Sequence, residues 1–191
     1  NDFFRVYVEP IRPEYAKALL NGHCKTHDLR LTVEARDVFL QLVFPHVPYF
    51  LQLFVSQIRL EESFQGREIT PEDVRDVYDR RLIGPTCRAY FDHYRQRLRR
   101  YGVSGERSAL AILSEVAYSA TGRVSDSALY DVYRKARKQG ASSQEFDAIM
   151  ADLESDWYVL LDTKTKEYGF LVNVMKDWWR RFHRSLGAKR K

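Results

Sequence analysis

No Gly-x-x-x-x-Gly-Lys-Ser/Thr segment occurs in this chain, and its nine glycines never fall in a run. A phosphate cradle of backbone amides needs such a loop, so the chain cannot hydrolyse a nucleotide alone by that machinery. Cysteine is scarce. Cys24 and Cys87 stand far apart, nothing suggests a disulfide framework, and a reducing, cytoplasmic setting fits best. No apolar run approaches 18 residues, so nothing reads as a membrane span and no membrane partner is expected. The start, Asn1-Asp2-Phe3-Phe4-Arg5-Val6-Tyr7, lacks the basic head and long apolar middle of a signal peptide. No Ser-His-Asp order or paired-carboxylate site stands out, and no catalytic residue is assigned. His23-Cys24-Lys25-Thr26-His27 gathers three soft ligands, but a structural zinc needs four, and Cys87 brings only the distant His93. No metal site is assigned.

What is present is apolar and basic. Hydrophobic residues make up 45% and aromatics 14% of the 191 residues, enough for a packed core. The net charge is +5. Cations cluster at Arg95, Arg97, Arg99 and Arg100, and at Arg134, Lys135, Arg137 and Lys138. A third group holds Arg180, Arg181, Arg184, Lys189, Arg190 and Lys191, with Lys164 and Lys166 nearby in a turn. Such residues can contact phosphates without reading bases, or can be solvated cations near helix C-termini.

The pattern predicts a mainly α protein. Phe3 to Val8 reads as a short strand with no partner nearby, as if borrowed from a sheet upstream. Pro13 starts a helix that ends before Asn21-Gly22, and Thr32 caps a second. After Pro45-His46-Val47-Pro48, residues 49–62 form a helix apolar around most of its circumference, the centre of a bundle. Thr70-Pro71-Glu72-Asp73 starts another, and Thr86 opens a helix ending near Tyr101-Gly102. Gly102 to Gly105 marks a boundary. The expected domains are a helical bundle over 1–102, a second domain over 103–185 and a basic tail over 186–191.

The second domain reads helix, helix, helix, two strands, helix. Helices run from Arg107 to Ala120, from Ser125-Asp126 to Arg137, and from Ser142-Ser143-Gln144-Glu145 through Leu153. Strands at Trp157 to Leu161 and Tyr168 to Val172 flank the turn Asp162-Thr163-Lys164-Thr165-Lys166-Glu167, and Asn173 caps a last helix through Ser185. That order is a winged helix with a small two-stranded wing. Its third helix normally enters the major groove. Here that helix holds Glu145, Asp147, Asp152 and Glu154, with Asp156 just after and no cation between Ser142 and Trp157. Phosphates would repel it. The adjacent Trp178 and Trp179 point about 100° apart on a helix, so one seals this core while the other packs on a neighbour.

Two segments resemble the C-terminal part of prokaryotic AAA+/STAND-type ATPases, the group that includes origin-recognition-like ATPases. Val6-Tyr7-Val8-Glu9-Pro10-Ile11 with Glu14 to Leu20 is similar to the last core strand entering a helical lid. Pro45-His46-Val47-Pro48-Tyr49-Phe50-Leu51-Gln52 is similar to the lid's Gly-x-Pro-Tyr segment, with His46 where glycine is usual. Trp157 to Phe182, ending in Asp177-Trp178-Trp179, is similar to the family's winged-helix ending. The resemblance implies a lid whose Pro48, beside His46, lies against adenine. It implies ATP and magnesium only in the parent protein, with Walker motifs upstream of Asn1 and no cofactor for this fragment alone.

Two functions follow as expectations. One is a regulatory fragment of a cytoplasmic ATPase. Its lid and winged helix would contact the upstream ATPase core, and a protein partner or a second copy. The other is a DNA-binding module that meets phosphates through Lys164, Lys166, Arg180, Arg181, Arg184, Lys189, Arg190 and Lys191.

Overall fold

The computed structural model describes residues 10–137 and 139–183. Among the described residues the chain is mainly helical with two small sheets, and it divides into two compact units, 1–86 and 87–191. The expected strand at 3–8 and the basic tail at 186–191 lie outside the described residues.

In the first unit α1 spans Pro13–Thr26, opening on a proline whose missing N–H costs nothing in a first turn. It runs through Gly22 instead of stopping there. Ala16, Leu20 and Cys24, four residues apart, are all buried and hold the helix to the core past the glycine. Thr32 caps α2 (Val33–Leu42), its side chain accepting from the Ala35 amide at 3.1 Å. The central helix α3 (Pro48–Arg59) buries Phe50, Leu51, Leu53, Phe54, Val55, Gln57 and Ile58. Phe54 stacks on Phe39 of α2 with ring centroids 4.5 Å apart.

Thr70 and Asp73 cap α4 (Pro71–Val77) reciprocally. Arg67 grips the same aspartate with two N–H bonds, of 2.8 and 2.9 Å. That guanidinium, with the Thr70 amide and hydroxyl, holds the Asp73 carboxyl far below the usual carboxylate range. A wide turn at Tyr78–Leu82 follows. Glu61 accepts from both arginines of that turn, from Arg80 at 2.7 Å and from Arg81. Two strands absent from the sequence reading, β1 (Arg30–Leu31) and β2 (Glu68–Ile69), pair in parallel just before α2 and α4.

In the second unit α5 (Arg88–Arg97) continues through a tight turn at Leu98–Tyr101 into α6 (Gly102–Tyr118). The stretch read as a boundary, Gly102 to Gly105, is helical, and the division of the chain falls between Thr86 and Cys87. Packing explains this. Phe91 of α5 stacks on Trp178 at 5.4 Å, and the Tyr158 hydroxyl donates to the Tyr94 carbonyl, so α5 shares the core of the second unit.

The order then runs β3 (Arg123–Ser125), α7 (Asp126–Arg137), α8 (Ser143–Ser155), β4 (Val159–Asp162), β5 (Glu167–Phe170) and α9 (Asn173–Phe182). The sheet is antiparallel in the order β3-β5-β4, so it has three strands where the sequence suggested two. β3 spans three residues with Val124 alone buried, too short for alternation to reveal it. Trp178 and Trp179 are both fully buried. The first meets Phe91, and the second donates from Nε1 to Ser114 Oγ at 3.3 Å. Asn173 does not cap α9 with its side chain. It is the first helical residue, and its Oδ1 accepts from Lys176 Nζ at 2.9 Å.

Candidate functional site

The residues singled out by sequence fall on separate surfaces. In the first unit the segment between α2 and α3 carries His46 and Pro48. The His46 side chain is turned inward: the residue is 5% exposed, and Nε2 lies 3.2 Å from the Leu40 carbonyl oxygen. Its own carbonyl accepts from the Ile11 amide at 2.9 Å, tying the segment to the chain before α1. The ring stands edge-on to Phe44 at 5.4 Å. What the segment shows to solvent is apolar: Phe44 at 50%, Tyr49 at 44% and a half-buried Pro48. Such a rim suits a flat apolar or aromatic group. Elsewhere in this unit the rings of His23 and His27 stack at 6.0 Å, and burial pushes the Cys24 thiol up, away from thiolate reactivity. Among the described residues no three His, Cys, Asp or Glu side chains converge as a metal site would require.

In the second unit Asp162 builds the turn between β4 and β5. Its Oδ1 accepts from the amides of Lys164 at 2.9 Å and Thr165 at 3.3 Å, and its carbonyl accepts from Lys166 N at 2.8 Å. Arg123 crosses from β3 to donate to Asp162 Oδ2 at 2.7 Å. It lies over Gly169, where an added Cβ would stand 3.5 Å from Arg123 Cγ. The two turn amides, and then the arginine, hold the Asp162 carboxyl below its ordinary value. The tip is therefore pre-shaped, and its cations Lys164 and Lys166 are exposed with no ion-pair partner among the described residues.

The acids of α8 and its C-cap residue Asp156 divide into two groups. Glu145 accepts from the Tyr133 hydroxyl at 2.8 Å and from Arg137. Glu154 accepts from the Leu161 amide at 3.0 Å. Asp156 accepts from the Tyr101 hydroxyl at 3.0 Å and from Arg100. Only Asp147 and Asp152 stand on the exposed side, among Ser143, Gln144, Ala148 and Ala151. The face is short-chained and carries no cation. Beside it, at the end of α7, lies a shallow cavity of about 450 Å³ lined by Asp131, Arg134, Lys135, Gln139, Gly140 and Ala141.

Arg180 and Arg181 lie in the last turn of α9. Arg180 Nε donates to the Ala117 carbonyl, and Nη2 reaches the Ser119 carbonyl at 3.4 Å. In return the Tyr118 hydroxyl lies 2.8 Å from the Arg180 carbonyl oxygen and 3.1 Å from that of His183. Two helix C-termini, each rich in unmatched carbonyls, are thus joined through one guanidinium and one phenol. The His183 ring packs on Trp178 at 4.9 Å and Trp179 at 4.6 Å. Burial pushes its imidazole below the usual value, as do Arg95 and Arg88, while Asp92 opposes them. Arg184, Lys189, Arg190 and Lys191 lie outside the described residues.

Searches of family models, curated proteins and solved structures return no match to this chain. Among the described residues no helix is long and apolar enough to cross a membrane.

Proposed function

We propose that the chain is the lid and winged-helix portion of an AAA+/STAND-type ATPase, and that its winged helix serves protein contacts. The winged-helix assignment rests on the order helix, strand, helix, helix, strand, strand and on the antiparallel sheet β3-β5-β4. The lid assignment rests on the bundle around α3 and on the apolar rim of Phe44, Pro48 and Tyr49, suited to the flat face of an adenine held by a core domain. One observation carries the choice of protein over DNA: the exposed face of α8 offers Asp147 and Asp152 and no cation. Duplex DNA, with one charge per ~1.7 Å, would be repelled by it.

Two measurements test this reading. The encoded sequence upstream of Asn1 should hold a phosphate loop and an acidic magnesium-binding strand within about 250 residues, the span of a large domain; their absence would sink the ATPase assignment. Titration with duplex DNA at 50 and 200 mM salt should give no binding.

A second reading is favoured by the turn at Asp162. Its rigid frame presents Lys164 and Lys166 unpaired, as phosphate contacts require. It expects micromolar duplex binding with a salt slope near −2 from those two lysines, at about −0.9 per phosphate.

A further inference from the structure

The β4–β5 turn is not the second unit's only cationic stretch. Residues 88–107 hold six arginines, no lysine and two acids, a surplus of four where the whole chain has five. Both acids are engaged: Asp92 with Arg88 at 3.4 Å, and Glu106 with Arg95. Arg100 is held by Asp156. That leaves Arg97, Arg99 and Arg107, all exposed and without an ion-pair partner among the described residues.

Flat rings lie among these cations. Tyr90, His93 and Arg97 follow one another at the three- and four-residue spacing that shares a helix side, away from buried Phe91 and Leu98. Tyr90 is 49% exposed. The His93 ring lies 4.1 Å from that of Tyr94, and the Arg97 guanidinium sits 5.9 Å from the Tyr94 ring centroid. Burial and Arg97 hold the His93 imidazole below its ordinary value, which favours the neutral ring at pH 7. The face from Tyr90 to Arg97 is about 10 Å long at 1.5 Å per residue.

We infer that this face of α5, with the turn after it and the start of α6 that Glu106 ties to Arg95, binds single-stranded nucleic acid. Bases stack on Tyr90 and His93, while Arg97, Arg99 and Arg107 meet phosphates. The exclusive use of arginine fits such a ligand better than an acidic peptide, because a planar guanidinium can stack on bases, while its bidentate pairing serves phosphate and carboxylate alike. Exposed aromatics beside those arginines favour a single strand over a duplex, whose base faces are already stacked. None of these residues lies on the exposed face of α8 or in the β4–β5 turn, so the inference stands apart from both readings above.

Fluorescence anisotropy of the full chain with a labelled ~20-nucleotide oligothymidine tests it, a length that covers the usual single-strand site. At 50 mM salt the Kd should be micromolar. The double variant Arg97→Glu/Arg99→Glu should weaken binding at least tenfold and lower the salt slope by about 1.4, at 0.7 per phosphate. Tyr90→Ala should weaken it about fivefold or more with the slope unchanged, and Tyr90→Phe should restore it. Lys164→Glu/Lys166→Glu should leave it within twofold. All these positions are exposed, so melting temperatures should stay at the parent value and separate lost binding from lost folding. The inference is overturned by absence of binding, by loss through the Lys164/Lys166 variant alone, or by equal displacement with duplex DNA or polyglutamate.

Discussion

Arg180 offers the sharpest test of how the second unit is held together. Replacing it by Met keeps much of the aliphatic stem and removes the guanidinium. The bond to the Ala117 carbonyl is part-buried and charge-assisted, in a class worth about 1.5–3 kcal/mol, and its partial exposure argues for the low end. The bond to Ser119 is exposed and long at 3.4 Å, and adds little. Losing a cation where two helix C-termini meet costs a further ~0.5 kcal/mol. The sum is about 2 kcal/mol, or a melting temperature lower by roughly 10 °C for a unit near 100 residues. All three tryptophans, Trp157, Trp178 and Trp179, lie in the second unit, so selectively excited tryptophan emission follows that unit alone. Tyr118→Phe removes the reciprocal hydroxyl and should cost about 1 kcal/mol. The double variant should fall short of additivity by at least ~0.5 kcal/mol, since both residues serve one clamp. A melting temperature within ~2 °C of the parent, together with weakened duplex DNA binding, would refute this and return Arg180 to the phosphate contacts.

Phe54→Ala removes a fully buried ring stacked on Phe39 and should cost about 3–5 kcal/mol, enough to unfold much of the first unit; far-UV circular dichroism would show helix lost while tryptophan emission stays native. Glu61 and Asp73 both have folded pKa values below their unfolded ones, through Arg80 then Arg81 and through Arg67 respectively. Their contribution is complete above the ordinary carboxylate range and is lost as pH falls through the folded values, so the first unit should melt progressively lower between pH 5 and 2, and Asp73→Asn should flatten that decline. His183 works from the opposite charge state: its folded value is depressed, so the unfolded chain takes up the proton first. The second unit should lose stability as pH drops below about 6.5, and His183→Gln should remove that part of the pH dependence in tryptophan-monitored melts.

Features whose chemistry is local were legible in the sequence. Thr32, Thr70 and Ser142 each cap a helix as their side chains suggest, because the bond closes within three residues. The near-continuous apolar surface of α3 likewise announced a central helix. Features made by distant partners were not legible. Arg30 pairs with Glu68 and Arg123 with Gly169, across gaps that no local pattern spans. Gly22 read as a stop by propensity, yet the buried stripe of α1 carries the helix past it, whereas Gly102, at φ +71°, does separate the turn at Leu98–Tyr101 from α6. At the candidate sites the sequence supplied charges but not their partners. It could count the acids of α8 and its C-cap without showing that Glu145, Glu154 and Asp156 are engaged inside the unit. It placed His46 beside Pro48 without showing that the ring turns in and leaves Phe44 and Tyr49 outside.

Glu154 governs what the small sheet can join. Within the described residues β4 is an outer strand, and Leu160 upon it is 54% exposed. A bare outer strand with an apolar side chain invites strand addition from another molecule, and with it fibre growth. The glutamate reaches forward from α8 and occupies the Leu161 N–H, a donor that a foreign strand could otherwise use. An incoming chain would have to displace a carboxylate and then leave that charge beside its own backbone, away from water. Glu154, which adds nothing to the exposed acidic face of α8, would thus act as a guard against copies of this chain zipping together along β4.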